Sequence, residues 1–159
     1  MNRAEFKKRL QEGPLLVDGA FGTVLHGQGV AIDQSFDAIN LSNPGVVASI
    51  HRDYIDAGAD IIETNTFGAN RFNLAEHELR DQVRAINQAA VSIARRVIGG
   101  SFREVLLAGS IGPLGIQLAP LGRVSVAEAR DAFAEQIEAL ITAEPQGVDL
   151  LIIETMSAV

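Results

Sequence analysis

The chain has 159 residues, of which 47 % are hydrophobic and 21 % charged, with a formal net charge of -7 at neutral pH. That balance belongs to a globular protein that can bury ~70 % of its unfolded surface, and it excludes disordered and fibrous chains. An acidic chain with no concentrated basic face argues against general nucleic-acid binding, and no apolar run approaches the ~20 residues of a membrane span.

Cysteine is absent, so no disulfide forms and the thiolates that usually hold zinc are missing. The amino terminus from Asn2 to Leu10 is charged throughout and lacks the apolar middle of a secretion signal, which predicts a cytoplasmic protein. Within it Phe6 and Leu10 stand one helical turn apart, predicting a short amphipathic helix that ends at Gly13-Pro14 and lies as a plug on a core.

Next comes an apolar run, Leu15-Leu16-Val17, that stops abruptly at Asp18-Gly19. A short buried strand with an acid at its carboxyl end is how an α/β domain presents a side chain to a ligand. The device recurs at Ile61-Ile62-Glu63 and at Leu150-Leu151-Ile152-Ile153-Glu154, while Val105-Leu106-Leu107-Ala108 ends in Gly109-Ser110. Strand ends at 18, 63, 110 and 154 leave room for one crossover helix in each interval.

The stretch from Gly19 to Ser42 is too polar and glycine-broken for a regular element and reads as a long functional loop. Asn43-Pro44 then caps a helix with Val46, Val47, Ile50, Tyr54 and Ile55 on one face, stopped by Gly58. A second helix carries Leu79, Val83, Ile86, Ala90, Ile93 and Val97 inward and ends at Gly99-Gly100. Ser125 and Glu128 form a capping-box signature for a third, with Phe133, Ile137, Leu140 and Ile141 inward. The predicted fold is α/β: four parallel strands, three crossover helices and an amino-terminal helix. An open sheet of this kind would leave apolar faces half covered, so residues 1–159 read as one partial domain, the first half of a TIM (β/α)8 barrel.

On that fold Asp18, Glu63 and Glu154 meet at one rim, where carboxylates attract ammonium groups or metals or act as acid and base. The plainer reading is that strand-end acids cap the next helix or pair with a basic residue. The turn from Gly109 to Gly115 could cradle a phosphate, but it has neither the dinucleotide nor the P-loop spacing. Asn65, Asn70 and Phe67 could grip a ligand, although loop asparagines mostly satisfy their own turns. His26, His51 and His77 lack the spacing of a zinc site, and His51, one turn from Val47 and Ile55, suits helix packing better.

Five motifs carry a resemblance: LLVDGAFGT, NLSNPGVV, YIDAGADIIETNTFGAN, AGSIGPLG and LLIIET. With them the chain resembles the amino-terminal half of a homocysteine S-methyltransferase domain. It is most similar to cobalamin-dependent methionine synthase modules and to bacterial proteins in which this domain precedes a methylenetetrahydrofolate reductase. Betaine-dependent members share the strand-end acids but are further off. The resemblance implies a TIM barrel in which three cysteines hold zinc, and the zinc holds homocysteine as a thiolate that attacks a methyl group supplied by methylcobalamin or methyltetrahydrofolate. By motif match it implies that Asp18 and Glu154 bind the amino group of homocysteine, that Gly19 lets the backbone approach, and that Phe67 packs on the amino acid. Glu63, Thr64 and Asn65 are further substrate-binding candidates.

The family's cysteines belong to later strands, so the resemblance implies a chain with no metal ligands and no activity of its own, completed by the remainder of the barrel or by a second copy. Two other readings compete. One is a sugar-phosphate isomerase or aldolase using Glu63 and Glu154 for proton transfer, which needs a basic phosphate grip although Lys7 and Lys8, the only lysines, lie in the first helix. The other is a non-catalytic, self-associating half barrel.

Overall fold

The computed structural model describes residues 3–156. Three strands, β1 (Ile61–Glu63), β2 (Leu106–Ile111) and β3 (Leu150–Ile153), form one parallel sheet in the order β1-β2-β3. Seven helices accompany them: α1 (Arg3–Glu12), α2 (Gly22–Gly27), α3 (Ile39–Ser42), α4 (Pro44–Ala57), α5 (Arg71–Ala75), α6 (Val83–Gly99) and α7 (Val126–Ile141). A 3-10 turn at Arg80–Gln82 leads into α6.

The sheet has three strands where the sequence pattern predicts four. Leu15-Leu16-Val17 does lie parallel to β1, but it makes a single bridge, Val17 to Ile61. Asp18 N donates to Ile61 O at 2.9 Å and Ile61 N to Leu16 O at 3.1 Å. Leu16 N, however, donates to the Asp60 carboxylate at 3.0 Å, so a side chain takes the place of the next backbone rung. Pro14 has no N–H to offer before it, and among the described residues no strand lies on the outer side, where Leu16 is 58 % exposed. The run is an edge fragment that still delivers Asp18 beside Glu63.

Alternation along the strands divides the core in two. Ile62, Leu107 and Ile111 face the helices and pack with Ile55 of α4, Val91 and Ala94 of α6, and Leu140 of α7. Each such large side chain, fully buried, contributes about 1.5–3 kcal/mol. Gly109 belongs to this face because a Cβ there would stand 2.9 Å from Leu151 and 3.0 Å from Leu140. Ile61, Leu106 and Ala108 face the other way, and Phe6 of α1 packs onto them with Leu15, Leu150 and Ile152. The first helix is thus a plug through Phe6, while Leu10 stays 48 % exposed and does not join it.

α4 starts with Pro44 at its first position and stops at Gly58, whose φ of 112 only glycine adopts freely. The Asn43 side chain makes no cap bond to it, contrary to expectation. α6 buries Val83, Ile86, Ala90 and Ile93, with Leu79 ahead of the helix on the same core. The stretch from Gly19 to Ser42 is more regular than its glycines suggest: α2 and α3 form within it because Leu25 and Ile39 bury against Val47, Ile50 and Ile93. On α7 Leu140 is buried but Ile141 is 53 % exposed, and the small Ala129, Ala132 and Ala139 make the close contact.

The capping box at Ser125 and Glu128 is complete, and Ser125→Ala should cost about 1 kcal/mol, read as a lower urea midpoint with an unchanged slope. His51 is buried against Phe21, ring centroids 5.1 Å apart, with neither ring nitrogen bonded. Burial pushes its pKa down to about 4. The unfolded chain therefore takes up a proton that the folded chain refuses, and this share of stability is lost as pH falls from about 6.5 through 4. Asp18 and Asp37, raised to about 7 and about 6, act in the opposite sense over the same range, which is why the comparison of variant with parent isolates His51. His51→Phe should remove the loss, so its advantage over the parent should grow by as much as about 3 kcal/mol between pH 6.5 and 4 in urea titrations. A constant difference across that range would show that His51 carries no such linkage.

Candidate functional site

Parallel pairing brings the carboxyl ends of the strands to one rim, and a cavity of about 700 Å³ opens there. Asp18, Gly19, Glu63, Thr64, Asn65, Phe67 and Glu154 all line it, whereas Asn70 does not. Their roles differ. Asp18 Oδ2 accepts from Glu63 N at 2.9 Å, which ties the edge fragment to β1 and leaves the other carboxylate oxygen free of that bond. Burial, with Glu63 and Glu154 nearby, raises the Asp18 pKa to about 7 despite that bond. Glu63 is raised as well, by burial first and then by Glu154, against a lowering contribution from the Ser110 hydroxyl. Its Oε2 is buried without a hydrogen-bond partner.

Thr64 and Asn65 serve the scaffold. The Thr64 and Thr66 hydroxyls are 2.6 Å apart, and Thr66 donates to Ser110 O at 2.8 Å. The Asn65 amide donates to Phe36 O at 2.7 Å, and the Asn40 amide donates to Asn65 O at 2.7 Å. Asn70 accepts from Phe72 N and Asn73 N and so caps α5. Phe67 is 41 % exposed at the mouth of the cavity. Its ring lies against Gly112, where a Cβ would come within 2.7 Å of it, and Gly112 N donates to Phe67 O at 3.0 Å. Gly112 is thus spent on seating the aromatic ring. Pro113 O accepts from the Asn73 amide at 3.2 Å, so the turn braces the neighbouring loop instead of cradling a phosphate.

Two contributors escaped the sequence reading. Asp37, half-buried on the cavity wall, accepts from Gly68 N at 3.0 Å, and burial raises its pKa to about 6. It lies 31 residues from its partner in a stretch without a motif, so no local signal marks it. Ser110 donates to Glu154 Oε1 at 2.7 Å. Its place at a strand end, in line with the acids, was the available signal.

The cavity wall carries five carboxylates, those of Asp18, Asp37, Glu63, Glu76 and Glu154, and no lysine or arginine. Such a wall favours a cationic group on the ligand and repels a phosphate, which removes the support for a sugar-phosphate reading. Among the described residues no three His, Asp or Glu side chains gather as metal ligands, and the chain has no cysteine. His51 is buried, His26 Nδ1 lies 3.1 Å from Val30 O, and His77 is exposed. These residues do not fit a zinc site. No described helix is long and apolar enough to cross a membrane.

The homocysteine S-methyltransferase family matches residues 15–159. Methionine synthase of Mycobacterium tuberculosis is 36 % identical over 155 residues, covering 92 % of this chain and 13 % of that protein. The Mycobacterium leprae methionine synthase is 34 % identical over 155 residues, covering 92 % and 12 %. Among solved structures, the metallated form of the homocysteine methyltransferase MmuM from Escherichia coli superposes with a TM-score of 0.77 at 29 % identity, over 97 % of this chain and 57 % of that one. Its oxidized form gives 0.71 at 30 % identity, over 86 % and 51 %. The chain thus spans just over half of MmuM and about an eighth of the methionine synthases. On the family match over residues 15–159 and the common fold, this chain belongs to the homocysteine S-methyltransferase family.

Proposed function

We propose that this chain is the first half of a (β/α)8 barrel whose complete domain methylates the thiol of homocysteine, and that its own part is to grip the amino-acid end of that substrate. The observation that carries the reading is the wall of carboxylates without lysine or arginine, which calls for an ammonium group. Asp18 and Glu154 face the cavity from opposite edges of the sheet and hold the ammonium between them. Gly19 follows Asp18 at the rim, and Phe67 offers an apolar surface to the side-chain carbons. Lowering the thiol's pKa belongs to residues outside this chain, since those present do not build a zinc site.

With a pKa of about 7, Asp18 is mostly neutral at pH 6 and charged at pH 8. An ammonium ligand prefers the charged form, so affinity for L-homocysteine should rise about tenfold between those values. Binding near pH 7 should release a proton, visible in calorimetry as a dependence on the buffer's ionisation enthalpy. Asp18→Asn should remove most of that pH dependence, leaving the smaller share of Glu63 and Asp37. At pH 8 either Asp18→Asn or Glu154→Gln should weaken binding roughly ten- to a hundredfold, the value of a charge-assisted hydrogen bond of about 1.5–3 kcal/mol. 4-Mercaptobutanoic acid, which is homocysteine without its amino group, should bind far more weakly than homocysteine. Equal affinity for the two compounds would sink the reading.

A further inference from the structure

Glu154 stands where little holds it. β3 pairs with β2 on one side only, Ile153 before it is 66 % exposed, and Thr155 after it turns the chain with a φ of 58. Its charged neighbours are the carboxylates of Glu63 and Asp18, which repel it toward solvent. A glutamate has three rotatable side-chain bonds and could swing out. Against this stands one short bond, from Ser110 Oγ to Glu154 Oε1 at 2.7 Å.

We propose that Ser110 is a positioning residue for substrate binding, whose hydroxyl holds the Glu154 carboxylate in the cavity against the repulsion of Glu63 and Asp18. The inference rests on the ammonium grip described above. Ser110 is built to be immobile: it is 3 % exposed on β2, the strand paired on both sides. Ser110 N donates to Thr64 Oγ1 at 3.2 Å, and Thr66 Oγ1 donates to Ser110 O at 2.8 Å. Gln136 of α7, itself buried, donates to Thr66 O at 2.7 Å and ties the group to the helix layer. With its backbone bonded above and below, the serine presents its hydroxyl in a fixed direction. Packing alone would accept alanine there, but an alanine has nothing to donate to Glu154.

The test uses the full 159-residue chain, with Ser110→Ala, Ser110→Thr, Glu154→Gln and the Ser110→Ala/Glu154→Gln double variant. Thermal melts establish that each is folded, and calorimetry with L-homocysteine reads affinity. Ser110→Ala should weaken binding roughly five- to twentyfold, as expected for one hydrogen bond to a charged group. Ser110→Thr, which keeps the hydroxyl, should stay within about twofold of the parent. In the Glu154→Gln background Ser110→Ala should change affinity by no more than about twofold, because the serine acts through that carboxylate. A merely structural loss would lower affinity equally in both backgrounds. Carbon NMR titration of the side-chain carboxyls without ligand gives an independent reading: Asp18, whose pKa Glu154 helps to raise, should titrate lower in Ser110→Ala than in the parent, because Glu154 is then released toward solvent.

If Ser110→Ala binds like the parent while Glu154→Gln binds weakly, the positioning role is wrong and the ammonium grip stands. Ser110→Thr as weak as Ser110→Ala would overturn it too. If Glu154→Gln binds like the parent, or the parent does not bind at all, the grip itself fails and the role of Ser110 goes with it.

Discussion

Everything at the rim depends on the pairing of β2 with a neighbour on each side. In a parallel ladder the strands share direction, so residues that end β1, β2 and β3 must emerge together. Ile61 opposite Leu106 and Ile111 opposite Ile153 fix that register. A slip of one residue would turn Ile62 and Leu107 out of the helix-facing core and carry Glu63 and Ser110 away from the cavity. The apolar burial that stabilises the sheet therefore also fixes where the carboxylates stand.

That placement sets two demands against each other. Burial removes water from Asp18 and Glu63, and each carboxylate feels the others, so both hold their protons more tightly than in water. Gathering these carboxylates at the rim costs the folded protein stability, a cost common where function and folding compete. The polar network behind it, Thr64, Thr66, Ser110 and Gln136, limits that cost by satisfying the backbone around the acids. Glycines at 68 and 112 extend the same design to the loop: added side chains would collide with the Asp37 carboxylate and the Phe67 ring.

This chain belongs to the family, and its fold superposes on just over half of MmuM. Its cavity wall is acidic and free of lysine and arginine, whereas chemistry on a thiol needs a means of lowering the thiol's pKa. Residues 15–159 match the family while containing no cysteine.

The sequence by itself determined the strand ends, the crossover helices and the acids at the rim, because apolar runs that stop at a carboxylate or a glycine are local patterns with local causes. Pro44 and Gly58 bound one helix and Ser125 with Glu128 begins another for the same reason. Tertiary structure decided what depends on distant partners. Leu15-Leu16-Val17 became an edge fragment because Asp60 takes the Leu16 N–H, 44 residues away. α2 and α3 formed in a glycine-rich loop because Leu25 and Ile39 found Val47 and Ile50 to pack against. Asp37 reached the cavity wall through Gly68, and Ser110 reached Glu154 across a strand pair. In each case the deciding contact joins residues far apart in the chain, and a hydrogen bond or buried contact of that kind leaves no periodicity for a sequence to show.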